Sequence, residues 1–500
     1  MPLLIYCCHE LTVHLSLLFN AMMCHGQCPR NMLLSTLVPI PKNRKKSLND
    51  SSNYRAIALG SVLGKIVDNI ILENHKYVLK SEDLQYGFKA KHSTTHCTFV
   101  LNEVVDYYVN NGSPVFLVLL DASKAFDRVQ YIKLFRLLIN RGLCSVTARF
   151  LAYLYTNQTL RVNWNGCYSD PFATSNGVKQ GGILSPILFS IYMDELLFRL
   201  KNASVGCYIG NMFLGGLGYA DDLCLLAPSR GSISFMLNIC EQFGAEYDVL
   251  FNSQKSHLVL YGTGSRYEDM PPLSLNGESL KVQATATHLG HIIGNNNMNN
   301  IAVSNAKRDI VWRTNYVLSK FGFCNSNVRS FMFRTYCTSF YGSPLWRLNS
   351  PAVNKFYATW RKCVRKIWRV PPRTHCRLLE HLYGSSGIEY ELLARFISFY
   401  QSICVSNNEC TRLCSMLCKT SMTPVAMNRR QLCAKLNICG EFLNEYCKSK
   451  LLKIYECTEN CKADGSALKE LCLVRDGILN IDFDLDNDDI LCFINWLCVS

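Results

Sequence analysis

Negative charge is scarce in this chain. Its 38 Asp and Glu stand against 52 Lys and Arg, a net charge of +14. That balance points to a polyanionic partner, either nucleic acid or an acidic membrane surface. Between residues 300 and 377 the imbalance is extreme. Asp309 is the single acid there, against Lys307, Arg308, Arg313, Lys320, Arg329, Arg334 and a dense group from Arg361 to Arg377. Long apolar runs are also missing, which excludes a transmembrane helix. No secretory leader is apparent. The opening run PLLIYCCHELTVHLSLLFNAMM is interrupted by His9, Glu10 and His14, a pattern that suits an amphipathic helix. Internal repeats and low-complexity linkers are absent. Cysteine is plentiful, with 26 residues, but irregularly spaced and often inside apolar runs. A chain this large needs no disulfide staples, so reduced thiols and an intracellular setting, nucleus or cytoplasm, are expected.

What is present divides the chain by composition. Residues 1–112 mix helical patterns with a polar, basic loop, PKNRKKSLNDSSNYR. Residues 113–295 alternate short apolar runs with Gly, Asn and Pro, as expected of strands, turns and a few helices. The basic region follows. Residues 378–500 read as helical and Cys-rich and end in an acidic patch.

The chemistry gathers around acids. In GYADDLCLLA, Asp221 and Asp222 are adjacent between apolar runs. In PVFLVLLDASKAFDRV, Val115 to Leu120 has the unbroken apolar character of a strand buried on both faces, and Asp121 ends it. A strand-end acid and a hairpin pair can surround one point with three carboxylates. Mg²⁺ takes such oxygen ligands together with substrate phosphates. Taken singly, the pair also reads as a turn and Asp121 as a helix N-cap. A third segment, SNGVKQGGILSPILFSIYMDEL, offers Gly181-Gly182 for close backbone approach to a ligand. Ser185 and Pro186 would be N-cap and first position of an apolar helix.

In order, VPIPK with NYRAI, YGFKAKHST, LLDASKAFDRV, GVKQGGILSPILF, YADD, FNSQKS and HLGHII resemble the reverse transcriptase domain of non-LTR (LINE-type) retrotransposons. The likeness covers about residues 10–295, and more loosely the basic region to 377. It implies an α+β right-hand polymerase. An N-terminal helix and fingers would occupy 1–112, a palm with antiparallel sheet and inserted fingers elements 113–295, a basic helical thumb 296–377, and a helical C-terminal region 378–500.

The resemblance also implies roles. Asp121, Asp221 and Asp222 would be metal-binding catalytic carboxylates for two Mg²⁺ ions, with Mn²⁺ as a substitute. Asp127 would be structural. Phe126 matches the aromatic beneath the incoming sugar, which disfavours a ribose 2′-hydroxyl. Gln180 and Gly181 match the loop against nucleotide and template base. Arg55 matches the arginine over the nascent pair, with Lys42 as its companion on the triphosphate. Lys255 matches the lysine that protonates leaving pyrophosphate. His288 to Gly290 match the segment gripping the primer. Partners would be an RNA template, a DNA primer, their RNA–DNA hybrid and dNTPs, with no membrane.

In ATWRKCVRKIWRV, Arg361, Lys362, Arg365, Lys366 and Arg369 share one helical face, with Trp360, Val364, Ile367 and Trp368 mostly on the other. Downstream of a palm this suits a thumb helix whose cations follow duplex phosphates. Cys410, Cys414 and Cys418 line one helix face and read as core thiols rather than zinc ligands. A His288–His291 metal pair lacks a third ligand. DFDLDNDD, residues 482–489, lacks the Gly and closing Glu of a calcium loop and reads as an acidic turn. No segment has room for the endonuclease many LINE proteins carry, so a truncated frame, a fragment or a relic is expected. The rival to a polymerase is a silent nucleic-acid-binding relic.

Overall fold

The strand Val115–Ser123 is buried continuously from Val115 to Leu120, because apolar side chains on both faces can be covered only in the middle of a sheet. It lies between His257–Tyr261 and Asp222–Ala227, with Gly216–Tyr219 beyond the latter and Lys281–Val282 beyond the former. The pairings are antiparallel except that of Lys281–Val282, which runs parallel to His257–Leu258. Helices Ser185–Asn202 and Arg230–Tyr247 pack against this sheet. The first is apolar nearly all round, as a core helix should be.

The structure is a computed structural model and describes residues 9–262, 271–294, 298–383, 387–437 and 447–452. The acidic segment 482–489 lies outside the described residues. The chain forms two compact units, residues 1–97 with 112–283, and residues 98–111 with 284–500. The architecture is α+β.

The first unit also holds a second sheet. In it, Leu34–Pro41 pairs antiparallel with Tyr54–Leu59 and parallel with Thr159–Trp164. The basic loop between the first two strands is closed by buried Asn53. Its amide donates to the carbonyls of Asn43 and Ser47 at 2.9 and 3.2 Å. Ser185 is not a cap. The helix begins with it, Leu184 is the capping position, and no side-chain cap forms there. Instead the Asp68 carboxylate accepts the Ile183 and Leu184 amides, while Ser185 bonds to Tyr155.

The second unit opens with the hairpin Thr285–His288/His291–Gly294 and continues as helices. Phe333, Phe356 and Trp360 are fully buried among them. Cys410, Cys414 and Cys418 are buried, and the described cysteines are free thiols. The opening run forms the helix His9–His25, with Phe19 and Met22 turned inward. Among the described residues no helix is long and apolar enough to cross a membrane.

Candidate active site

Asp222 is the first residue of its strand and lies directly opposite Asp121 in the antiparallel ladder. On its other side it pairs with Tyr219, so Ala220 and Asp221 alone form the hairpin tip. Two-residue hairpin tips need a positive φ to match strand twist, and Ala220 supplies it at +59°. That conformation is unfavourable for a residue with a Cβ, so its surroundings must hold it.

They do. Gln85 is fully buried, and its side-chain oxygen accepts the Ala220 amide at 2.9 Å and the Gly87 amide at 3.0 Å. The backbone beside it is tied as well. Tyr86 donates to the Gly218 carbonyl at 2.7 Å, and Gly218 to that of Leu84 at 2.9 Å. A Cβ on Gly87 would stand 2.5 Å from the Ala220 nitrogen, so only glycine fits. Sequence reasoning missed Gln85; the neighbouring YGF block was its only signal.

The acids are electrostatically coupled. Burial first, then the charges of Asp221 and Asp121, pushes the Asp222 carboxyl up to about 6. Burial also raises Asp221, Asp121 raises it further, and Arg55 opposes both. The coupling places Arg55 near Asp221, exposed on the strand Tyr54–Leu59. Asp121 is fixed through its backbone. Its amide donates to Ser256 Oγ at 3.2 Å, and its carbonyl accepts from Asn252 at 2.8 Å. Lys255, on the same turn, sets its ammonium 3.3 Å from Asp121 Oδ2.

Among the described residues no three His, Cys, Asp or Glu side chains stand close enough to enclose a metal ion by themselves. The donor set still fits Mg²⁺, which binds through one or two carboxylates and completes its shell with waters and substrate phosphates. The raised Asp222 carboxyl marks negative charge that a cation would relieve.

The flanking loop is built around the same strand end. Val178 donates to the Phe126 carbonyl at 2.8 Å, and Ala58 donates to that of Gln180 at 2.7 Å. Gln180 Nε2 reaches Asp127 Oδ1 at 3.3 Å, so Asp127 steadies the loop. Gly181 has φ +116°, and a Cβ there would lie 2.7 Å from the Ala58 carbonyl oxygen. Phe126 stacks on Phe189 at 4.3 Å and 15° and is itself only partly buried. Lys42 is exposed and donates to the Ser52 carbonyl at 3.0 Å, within its own loop. Behind the loop is a cavity of about 60 Å³ lined in part by Asp68 and Lys179. Burial raises Asp68 to about 6 and lowers Lys179. Neither residue stood out in the sequence.

The family model for reverse transcriptase (RNA-dependent DNA polymerase) matches residues 40–293, from the strand Leu34–Pro41 to the hairpin at 285–294. The chain belongs to the reverse transcriptase family. It is 28% identical over 282 residues to the Retrovirus-related Pol polyprotein of the type-1 retrotransposable element R2 of Nasonia vitripennis, covering 55% of this chain and 26% of that protein. It is 26% identical over 300 residues to the RNA-directed DNA polymerase of the mobile element jockey of Drosophila funebris, covering 56% of this chain and 31% of that one. The match thus spans under a third of either relative. A telomerase structure from Candida tropicalis aligns over 82% of this chain and 68% of its own, at 12% identity and a TM-score of 0.38. The mixed helix-and-sheet architecture accords with a right-hand polymerase.

The remaining expected residues lie in the second unit. The His288 and His291 imidazoles are buried, and burial pushes each down to about 4. Gly290 is exposed at the hairpin tip, so the tip backbone, not the His288 ring, faces solvent. The five cations of the helix Pro351–Trp368 and its end lie opposite buried Trp360, Val364 and Ile367. Several are engaged within the unit. Arg361 lies 3.9 Å from Glu380, and Arg365 donates to the Thr374 carbonyl at 2.8 Å. Arg369 donates to that of Gly322 at 2.6 Å, and Lys366 to Asn315 Oδ1 at 3.4 Å. Lys362 is exposed.

Proposed function

We propose that this chain is an RNA-directed DNA polymerase that extends a primer 3′-hydroxyl on an RNA template with dNTPs. The observation that carries the proposal is the ladder pair Asp121–Asp222 with Asp221 at the adjoining tip, in a chain of this family. Asp121, Asp221 and Asp222 would hold two Mg²⁺ ions, with Mn²⁺ as substitute. Bound there, they would supply positive charge to activate the hydroxyl and stabilise leaving pyrophosphate.

The other residues bind, orient and move a proton. Arg55 suits triphosphate oxygens because its guanidinium is planar and bidentate. Its field already reaches Asp221. Lys42 adds charge from the neighbouring loop. Phe126, braced by Phe189, would form the floor under the sugar and collide with a 2′-hydroxyl. Gln180 and Gly181 would lie against the nucleotide and its template base. Lys255 would give its proton to pyrophosphate. An exposed ion pair such as Lys255–Asp121 contributes only about 0–1 kcal/mol, so substrate can displace it at small cost.

The second unit would serve as thumb and C-terminal region, in which Lys362, the neighbouring cations and Gly290 follow the phosphates of the RNA–DNA hybrid. The test is incorporation of dTMP on poly(rA)/oligo(dT), with the Asp221→Ala variant as control. Synthesis that depends on Asp221 supports a polymerase. Binding of the hybrid without synthesis supports a silent relic instead.

A further inference from the structure

In the helix Met298–Phe321, the buried residues are Val303, Ile310, Thr314 and Val317. Opposite them, Arg308, Trp312, Tyr316 and Lys320 recur every fourth residue and form one ridge along the helix. All four are exposed. Trp312 and Tyr316 leave 66% and 53% of their surface in solvent. Their rings lie nearly parallel, 14° apart with centroids at 5.6 Å. Phe323, just past the helix end, is 89% exposed.

Large aromatics left outside a core mark interaction sites when they cluster. The charges on this ridge decide the partner. A cation closes each end, in the stretch where Asp309 is the only acid between residues 300 and 377. Flat π-faces bracketed by cations match the bases and phosphates of an unpaired strand. A paired duplex hides its bases and is read through its backbone. A lipid surface would want aliphatic side chains on a continuous apolar face, whereas Asn315 and Ser319 interrupt this one.

We propose that the Arg308–Trp312–Tyr316–Lys320 ridge is a stacking platform for an unpaired nucleic-acid strand. The inference goes beyond the polymerase reading and rests on it only for the kind of polymer handled. Bases would stack on Trp312 and Tyr316, while Arg308 and Lys320 take the flanking phosphates. Stacking needs no particular base, so the platform would hold a strand without selecting its sequence.

The test uses the full chain with oligo(U), oligo(dT) and a blunt RNA–DNA hybrid as probes. A double variant, W312L with Y316L, keeps apolar surface but removes both π-faces; W312F with Y316F restores them. The expected result is an oligo(U) dissociation constant at least about tenfold higher for the Leu pair, as loss of base stacking implies. The Phe pair should stay within a few-fold of wild type, and hybrid affinity should not change. The oligo(dT) arm tells whether the strand held is RNA or DNA by which probe binds more tightly. Undiminished oligo(U) affinity in the Leu pair overturns the proposal. So does an equal loss on the blunt hybrid, or a wild-type chain that binds hybrid but no single strand. A chain that binds oligo(U) through these rings but copies nothing refutes the polymerase and leaves the platform standing.

Discussion

Gln85 and Ala220 are 135 positions apart, and the side-chain oxygen of one accepts the amide of the other at 2.9 Å. That bond holds the left-handed residue immediately before Asp221. Replacing Gln85 with Leu strands the Ala220 and Gly87 amides in a buried setting. Each buried donor left without a partner costs about 1–3 kcal/mol. With two such donors stranded, urea unfolding of Gln85→Leu should show a loss of about 2–6 kcal/mol. Primer extension should fall at least tenfold, while affinity for an RNA–DNA hybrid is kept. Unchanged extension would show that the hairpin holds its own shape.

Asp222 faces Asp121 across the ladder, and their charges oppose each other without a cation. Asp222→Asn should therefore raise the metal-free melting temperature by a few degrees while abolishing synthesis. Active sites commonly trade stability for function in this way. The stabilisation should disappear when the comparison is repeated in Mg²⁺, which relieves the same repulsion in the wild type. Scanning calorimetry with and without Mg²⁺ checks both halves.

Glu103 offers a pH dependence in the second unit. Burial pushes its carboxyl up to about 7, against opposing hydrogen bonds from Thr423, Ser421 and Cys418. For an acid whose folded pKa is raised, the folded state binds more protons between the two pKa values, so stability falls as pH rises. The contribution is fully present below the ordinary carboxyl range and is lost as pH climbs through about 7. Thermal melts should show the wild type losing stability from pH 5 to pH 8. Glu103→Gln should flatten that slope.

Phe126 stacks on Phe189 and keeps part of its surface free. Phe126→Val should raise rNTP use relative to dNTP use by about 10-fold or more, the scale set by removing one steric contact in a pocket. Single-nucleotide incorporation with dTTP and UTP on poly(rA) measures the ratio. An unchanged ratio would place sugar discrimination elsewhere.

Much of this site was legible because strand arithmetic is local. Six apolar residues ending at Asp121, and YADD flanked by apolar runs, fix a buried strand and a hairpin. The register that sets Asp222 opposite Asp121 came from the structure. Gln85 and Asp68 were not legible, because each acts on a segment more than 100 positions away and neither residue type announces such a contact. Ser185 misled for a related reason. Its composition suits a cap, but a remote carboxylate takes the amides. The basic helix showed a third limit. Periodicity found its cationic face, yet Arg365 is tied to the Thr374 carbonyl past the helix end, and Arg369 to that of Gly322, just past the helix Met298–Phe321. Sequence spacing gives direction, not occupancy.

The central claim is template-directed DNA synthesis at the Asp121–Asp221–Asp222 site. Its most direct measurement is extension of a labelled DNA primer on a defined heteropolymeric RNA with Mg²⁺ and four dNTPs, read as product length and sequence. The account predicts products complementary to the RNA with the wild-type chain and none with Asp222→Asn, while both bind the hybrid equally. A wild-type chain that binds the hybrid and adds nothing, or an Asp222→Asn chain that still extends, would contradict it.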